Sequence, residues 1–188
     1  GIPYEDIIVS SFDADTVAHP QYFAYLAHRY LTVANPTRAS YQPIALYNNK
    51  IWDAPAPVRV AALGTTFWLM TELSRPERLF TFSSHSMPFR ALVDAGFWQK
   101  DIVSEDSRIF LQCFLRYHGE YRVEPLFMPV SMAAVSGKNY RQSLVNLYKQ
   151  QRRGAWGVEN IPFMIREFLS DPLIPAAKRL KYLWNQGE

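Results

Sequence analysis

The most constraining stretch of the chain is its first apolar run. Ile7-Ile8-Val9-Ser10-Ser11-Phe12 is β-branched and stops abruptly at Asp13-Ala14-Asp15-Thr16. Such a run reads as a buried strand of a mainly parallel sheet, because a strand covered on both faces has no need to alternate. Pro20 follows at a position favoured in the first turn of a helix, and Phe23, Leu26, Ala27, Tyr30 and Leu31 then recur at helical spacing on one face. Strand, acidic loop and helix in that order predict an α/β fold. They also place the loop at the carboxyl edge of the sheet, where open α/β sheets bind ligands.

The remaining segments extend this pattern. Residues 32–40 read as a loop turning at Asn35-Pro36, and residues 44–47 as a short strand before the Asn48-Asn49-Lys50 loop. Pro57 starts a long helix that ends near Ser74, and residues 79–83 alternate like a strand. Ser86 is expected to cap a helix running from Met87 to about Asp94, with Gly96 just beyond its end. Ser104 is expected to cap the next helix, with Glu105 and Asp106 in the first turn, where the dipole favours anions. Ile109, Phe110, Cys113, Phe114 and Tyr117 form the apolar face of that helix and Gly119 stops it. Residues 121–130 are extended and broken by Pro125 and Pro129. A loop at Ser136-Gly137-Lys138-Asn139 leads into a helix from about Tyr140 to Arg153. Two short helices, at 162–169 and 176–184, are separated by Asp171-Pro172. Thirteen prolines against eight glycines agree with many short elements and sharp stops.

Composition narrows the function. Apolar residues make up 48% of the 188 and charged residues 20%, so the chain builds a packed core and is not disordered. A net charge of +3 is too small an excess for a nucleic-acid binder, although it suits a position on an anionic surface. The single cysteine, Cys113, excludes an internal disulfide or a cysteine zinc site and reads as a small buried hydrophobe. The longest apolar candidate, residues 60–70, is too short to span a bilayer.

Four clusters carry chemistry. Asp13 and Asp15 can share a hard divalent cation and leave positions open for phosphate oxygens, although the same pattern also caps helices and fills turns. Ser104-Glu105-Asp106 is either ordinary capping or a carboxylate base held at a helix start. Residues 150–157, Gln-Gln-Arg-Arg-Gly-Ala-Trp-Gly, combine an amide, a guanidinium fork and an aromatic surface suited to phosphate and sugar, unless the arginines are simply a solvated face. In Ser83-Ser84-His85-Ser86, His85 is placed to line a pocket or to hydrogen-bond within its loop. His19, His28 and His118 lack metal-ligand spacing.

Taken in order, these pieces resemble the second half of a family 2 glycosyltransferase with the GT-A fold, over about Ile7 to Pro162. The residues that carry the likeness are the strand ending in Asp13-x-Asp15, the Phe89–Trp98 segment, Glu105-Asp106 opening a helix, and Gln150-x-x-Arg153. The likeness is nearest to the membrane-integrated branch that includes cellulose and hyaluronan synthases. It implies a partial GT-A domain, a mainly parallel or mixed sheet flanked by helices, over 1–160, and an amphipathic juxtamembrane helical tail over 161–188. It further implies that Asp13 and Asp15 hold Mg2+ or Mn2+ with the donor diphosphate. Asp106 would be the base that deprotonates the acceptor hydroxyl, and Glu105, His85, Gln150, Arg153 and Trp156 would contact substrate. Ser104 stands where the family has threonine, and Gly154 where it has tryptophan. The partners implied are a nucleotide-sugar donor, a carbohydrate or lipid-linked acceptor and a membrane. Nucleic acid is not among them, and an exposed sheet edge invites a second copy. The implied location is the cytoplasmic face of the cell membrane, within a larger integral membrane protein. The excised half-domain is expected to transfer little sugar alone. Two alternatives remain: a degenerate, non-catalytic binding module, and a haloacid-dehalogenase-type phosphohydrolase with its nucleophile in Asp13-Ala14-Asp15-Thr16-Val17.

Overall fold

A computed structural model describes residues 1–187. Five strands form one mixed sheet: β1 (Ile8–Ser11), β2 (Val17–Ala18), β3 (Ala39–Asn49), β4 (His85–Pro88) and β5 (Arg122–Ala133). They lie in the order β1-β4-β3-β5-β2. Only β3 and β5 run parallel, and the other three pairings are antiparallel. The sheet is therefore mixed, and the expectation of a buried parallel first strand is corrected. β1 is a half-buried edge strand paired with β4 alone. A β-branched run of this length does not distinguish a central strand from an edge strand covered by its neighbours.

Among the described residues seven α-helices flank the sheet: α1 (Tyr22–Thr32), α2 (Ala56–Leu73), α3 (Phe89–Asp94), α4 (Glu105–Arg116), α5 (Tyr140–Ala155), α6 (Asn160–Ser170) and α7 (Ala176–Gly187). On α1 the buried stripe is Tyr22, Leu26 and Tyr30, at a strict four-residue step. Phe23, Ala27 and Leu31, expected on the same face, are exposed instead, because a stripe of that width fits against β5 and the wider one does not. The expected strand over residues 79–83 is irregular backbone, and pairing starts only at His85. Ser86 lies inside β4 and bonds Ser10 and Tyr22 there, so Pro88 and not Ser86 precedes α3. Pro125 and Pro129 do not break β5. Opposite Pro43 and Ile44 the register skips two residues of β5, placing Pro129 at a bulge, where a missing N–H costs no ladder bond.

The sheet separates two cores. Tyr22, Leu26, Tyr41, Ala45, Leu69, Leu126 and Val130 join α1 and α2 to the inner strands. On the other side Leu92, Ile109, Phe110, Cys113 and Phe114 meet Met164, Phe168 and Tyr182, so α4, α6 and α7 share one apolar interior. Gly119 adopts φ +84° after α4, and its N–H donates to the Phe114 carbonyl at 2.8 Å, ending the helix as the sequence predicts.

The connection that carries Asp13 and Asp15 joins β1 at one edge of the sheet to β2 at the other. It passes across the ends of β4, β3 and β5. This crossing sets the position of the site.

Candidate active site

The acidic groups converge on Ser83. Its Oγ donates to Asp13 Oδ2 at 2.7 Å, and its backbone N–H donates to Asp106 Oδ2 at 2.5 Å. One residue thus ties the crossing loop to the first turn of α4. Two residues separated by nearly half the chain share a neighbour, as the sequence reading requires. Asp106 is fixed twice more: its Oδ1 accepts from the Ser107 N–H at 2.7 Å, and its carbonyl accepts from Thr81 Oγ1 at 2.6 Å. The Ser104 side chain does not cap α4. It donates to Glu159 Oε1, binding α4 to the start of α6, and the carboxylates of the first turn are left to complement the helix dipole.

The segment around Ser83 is held from below. Gln42, fully buried on β3, accepts from the Phe82 N–H at 3.0 Å and donates to the Ser84 carbonyl at 3.1 Å. Ser84 Oγ accepts from the Asp13 N–H at 3.2 Å and pairs with Thr16 Oγ1 at 2.7 Å. Asp15 is anchored separately, its Oδ2 accepting from the Ala133 N–H at the end of β5, 3.2 Å away. Asp13 and Asp15 are exposed, and Asp106 is half-buried.

His85 is 1% exposed. Its Nδ1 lies 2.8 Å from the Ser83 carbonyl, an acceptor, so Nδ1 carries the proton. Nε2 has no hydrogen-bond partner among the described residues. Burial pulls the imidazole below its ordinary pKa, against the Ser83 hydrogen bond and the Asp106 and Asp13 carboxylates. His85 therefore reaches the acidic cluster through Ser83.

Tyr47 at the end of β3 senses the whole cluster. Burial raises its phenol pKa, the carboxylates of Asp13, Asp15 and Asp106 raise it further, and Arg153 draws it back. Arg153 itself is exposed at the end of α5. Gln150 lines a cavity beside Tyr47 between α2 and α5. Glu105 is exposed next to Asp106 on α4. Trp156 is 58% exposed in the 3-10 turn Trp156–Glu159 that follows α5. The structure thus gathers Asp13, Asp15 and Asp106 around the 83–85 segment, with His85 beneath it; among the described residues no hydrogen bond ties Glu105, Gln150, Arg153 or Trp156 to Ser83. Sequence reading names Ser83 only as a flank of His85 and assigns no role to Tyr47. The hydroxyl-rich run at 83–86 was a usable signal for Ser83, whereas nothing in the Ile44–Tyr47 pattern set Tyr47 apart.

Among the described residues no three His, Cys, Asp or Glu side chains gather as a metal-ligating group. No helix among them is long and apolar enough to cross a membrane. No curated protein matches the chain. The family model described as glycosyl transferase family group 2 matches residues 8–185, nearly the full length. That match supports glycosyl transfer from a nucleotide-sugar donor to an acceptor and leaves the phosphohydrolase alternative without support. On this match, spanning both the acidic crossing loop and the start of α4, the chain belongs to glycosyl transferase family group 2.

Proposed function

We propose that this domain performs an inverting sugar transfer in which Asp106 is the general base and Asp13 and Asp15 hold a divalent cation. The observation that carries the reading is the pair of hydrogen bonds that Ser83 donates, one to Asp13 and one to Asp106. It keeps a cation-binding candidate and a base candidate on one rim.

The donor set suits Mg2+ or Mn2+. Asp13 and Asp15 each accept through Oδ2, and Oδ1 of each has no partner among the described residues. Two carboxylates with free oxygens suit a hard cation that completes its shell with water and phosphate. When bound, such an ion neutralises charge on the leaving diphosphate. The protein's own groups supply the rest. Asp106 accepts the proton of the acceptor hydroxyl as that oxygen attacks the anomeric carbon from the face opposite the leaving group. The Ser83 and Ser107 N–H groups hold the carboxylate in one orientation during that transfer. Arg153, exposed at the end of α5, would offer a guanidinium to phosphate oxygens.

The location at the cytoplasmic face of a membrane is part of the same proposal. Leu169, Leu173, Leu180 and Trp184 point outward from the α6–α7 region, beside the exposed Lys181. Apolar groups interleaved with cations suit a lipid surface.

The test is Asp106→Asn in the intact protein. The amide still accepts from the Ser83 N–H but is no base. Sugar transfer is expected to fall by about 10²–10⁴, with nucleotide-sugar affinity measured by calorimetry changing less than about twofold. Transfer at a near wild-type rate sinks the base assignment.

A further inference from the structure

Ser83 stands where the backbone favours glycine. Its φ of +46° is left-handed, a region that penalises a residue with a Cβ and that glycine enters freely. The conformation is fixed by its neighbours. The buried Gln42 side chain accepts from the Phe82 N–H and donates to the Ser84 carbonyl, and His85 Nδ1 donates to the carbonyl of Ser83 itself. The contact with Asp106 runs through the Ser83 N–H, which any residue but proline supplies. Neither the backbone nor the bond to Asp106 therefore calls for serine. What serine adds is a hydroxyl.

That hydroxyl has one proton and two acceptors within reach, Asp13 Oδ2 at 2.7 Å and Met132 Sδ at 3.6 Å. The carboxylate is nearer and charged, so it takes the proton. Among the described residues this is the one hydrogen bond made to the Asp13 carboxylate. Asp15 is held differently, by the Ala133 N–H at the end of β5, a backbone donor that no change at residue 83 removes. Asp13 is exposed, and without the hydroxyl its carboxylate would turn freely. A donor behind a metal-ligating carboxylate fixes its direction, and removing such a donor costs about 10–100-fold in metal affinity.

We infer that Ser83 is a positioning residue for the cation: its hydroxyl aims the Asp13 carboxylate so that Asp13 and Asp15 bind one divalent ion, and that hydroxyl is why the left-handed position holds serine and not glycine. The cation itself rests on the reading under Proposed function. Ser83 acts through Asp13 and is not a ligand. Its two donors are separable, because the side chain serves the cation and the backbone serves Asp106.

The experiment titrates the intact protein with Mn2+ alone, reading the free ion by electron paramagnetic resonance, for wild type, Ser83→Ala and Ser83→Gly, with urea unfolding of each in parallel. Both variants keep the N–H to Asp106, and both are expected to bind Mn2+ about 10–100-fold more weakly than wild type. Stability separates them. Ser83→Gly is expected to unfold at higher urea than Ser83→Ala, because alanine pays for the left-handed backbone and glycine does not. Affinity lost in both while their stabilities diverge is a result that a purely structural serine would not give. Equal Mn2+ affinity in all three proteins overturns the inference. So does a loss confined to Ser83→Ala, which would assign the effect to backbone strain. If Ser83→Ala does not fold, Ser83→Gly against wild type decides. Wild type that binds no Mn2+ overturns the cation assignment of Asp13 and Asp15 and the role of Ser83 together, whereas binding that neither variant weakens overturns the role of Ser83 alone. No readout needs sugar transfer, so the outcome of Asp106→Asn is independent of this test.

Discussion

Ser83 has φ +46°, a left-handed conformation that a residue with a Cβ adopts at a cost of about 1–2 kcal/mol. It is held there by a hydrogen bond at each of its three polar groups: N–H to Asp106, Oγ to Asp13, and carbonyl from His85. The last of these makes the latch sensitive to acid. A second proton on His85 would sit on Nε2, which is buried without a partner among the described residues. With the folded-state pKa depressed, the unfolded chain binds that proton first. The stability His85 contributes is therefore full above its unfolded pKa of about 6.5 and is lost as pH falls through the lower folded value. Urea unfolding of wild type is expected to weaken between pH 7.5 and 5, and His85→Gln is expected to weaken less over that interval. Identical slopes would remove His85 as the cause. At this scale the sequence was legible where chemistry is conspicuous: the acids of 13, 15 and 106 stood out by type and position. Ser83 did not, because its role comes from backbone geometry, which no residue type announces.

Among the elements, the helices were the more readable. α2, α4 and α5 start and stop close to where caps and periodicity place them. Strands were less so: β4 pairs from His85 because its partner β1 ends at Ser11, a constraint outside its own segment. The join between α3 and α4 shows how short elements are fixed. Asp94 at the end of α3 accepts from Tyr117 Oη at 2.9 Å and from Arg90 Nε at 3.0 Å. Burial pushes its carboxyl pKa up, but those bonds outweigh burial and hold it below the usual carboxylate range. Its contribution is therefore complete above about pH 4 and disappears as pH falls through the depressed folded value. Asp94→Asn is expected to cost about 1.5–3 kcal/mol at pH 7, the worth of a hydrogen bond to a charged group. The gap to wild type should close in acid. A gap that persists at pH 2.5 in denaturant titrations would show that shape, not charge, holds this joint.

For the molecule as a whole, the informative residues are those of α6 and α7. Tyr182 places its ring 4.7 Å from Phe114, 5.2 Å from Phe80 and 5.4 Å from Phe110, measured between centroids. Asn160 is fully buried, accepting from Arg108 Nε at 2.7 Å and donating to Ser107 Oγ at 2.9 Å. Tyr182→Ala is expected to lower stability by about 3–5 kcal/mol within one cooperative melt. A melt that stays in place would mean that α7 rests on the domain without being part of its core. The whole-molecule class, helices around a mixed sheet, followed from the order of segments, whereas strand order did not. Nothing in residues 8–18 announces that their two strands lie at opposite rims. That separation has a consequence of its own. Six Cα steps from Ser11 to Val17 reach at most about 20–22 Å, and four strand spacings in a flat sheet come to about 19 Å. The Asp13–Thr16 turn shortens the path further, so the two rims must be drawn together, purse-string fashion, around Ser84. The breadth of the sheet is thus the ruler against which the two carboxylates are set.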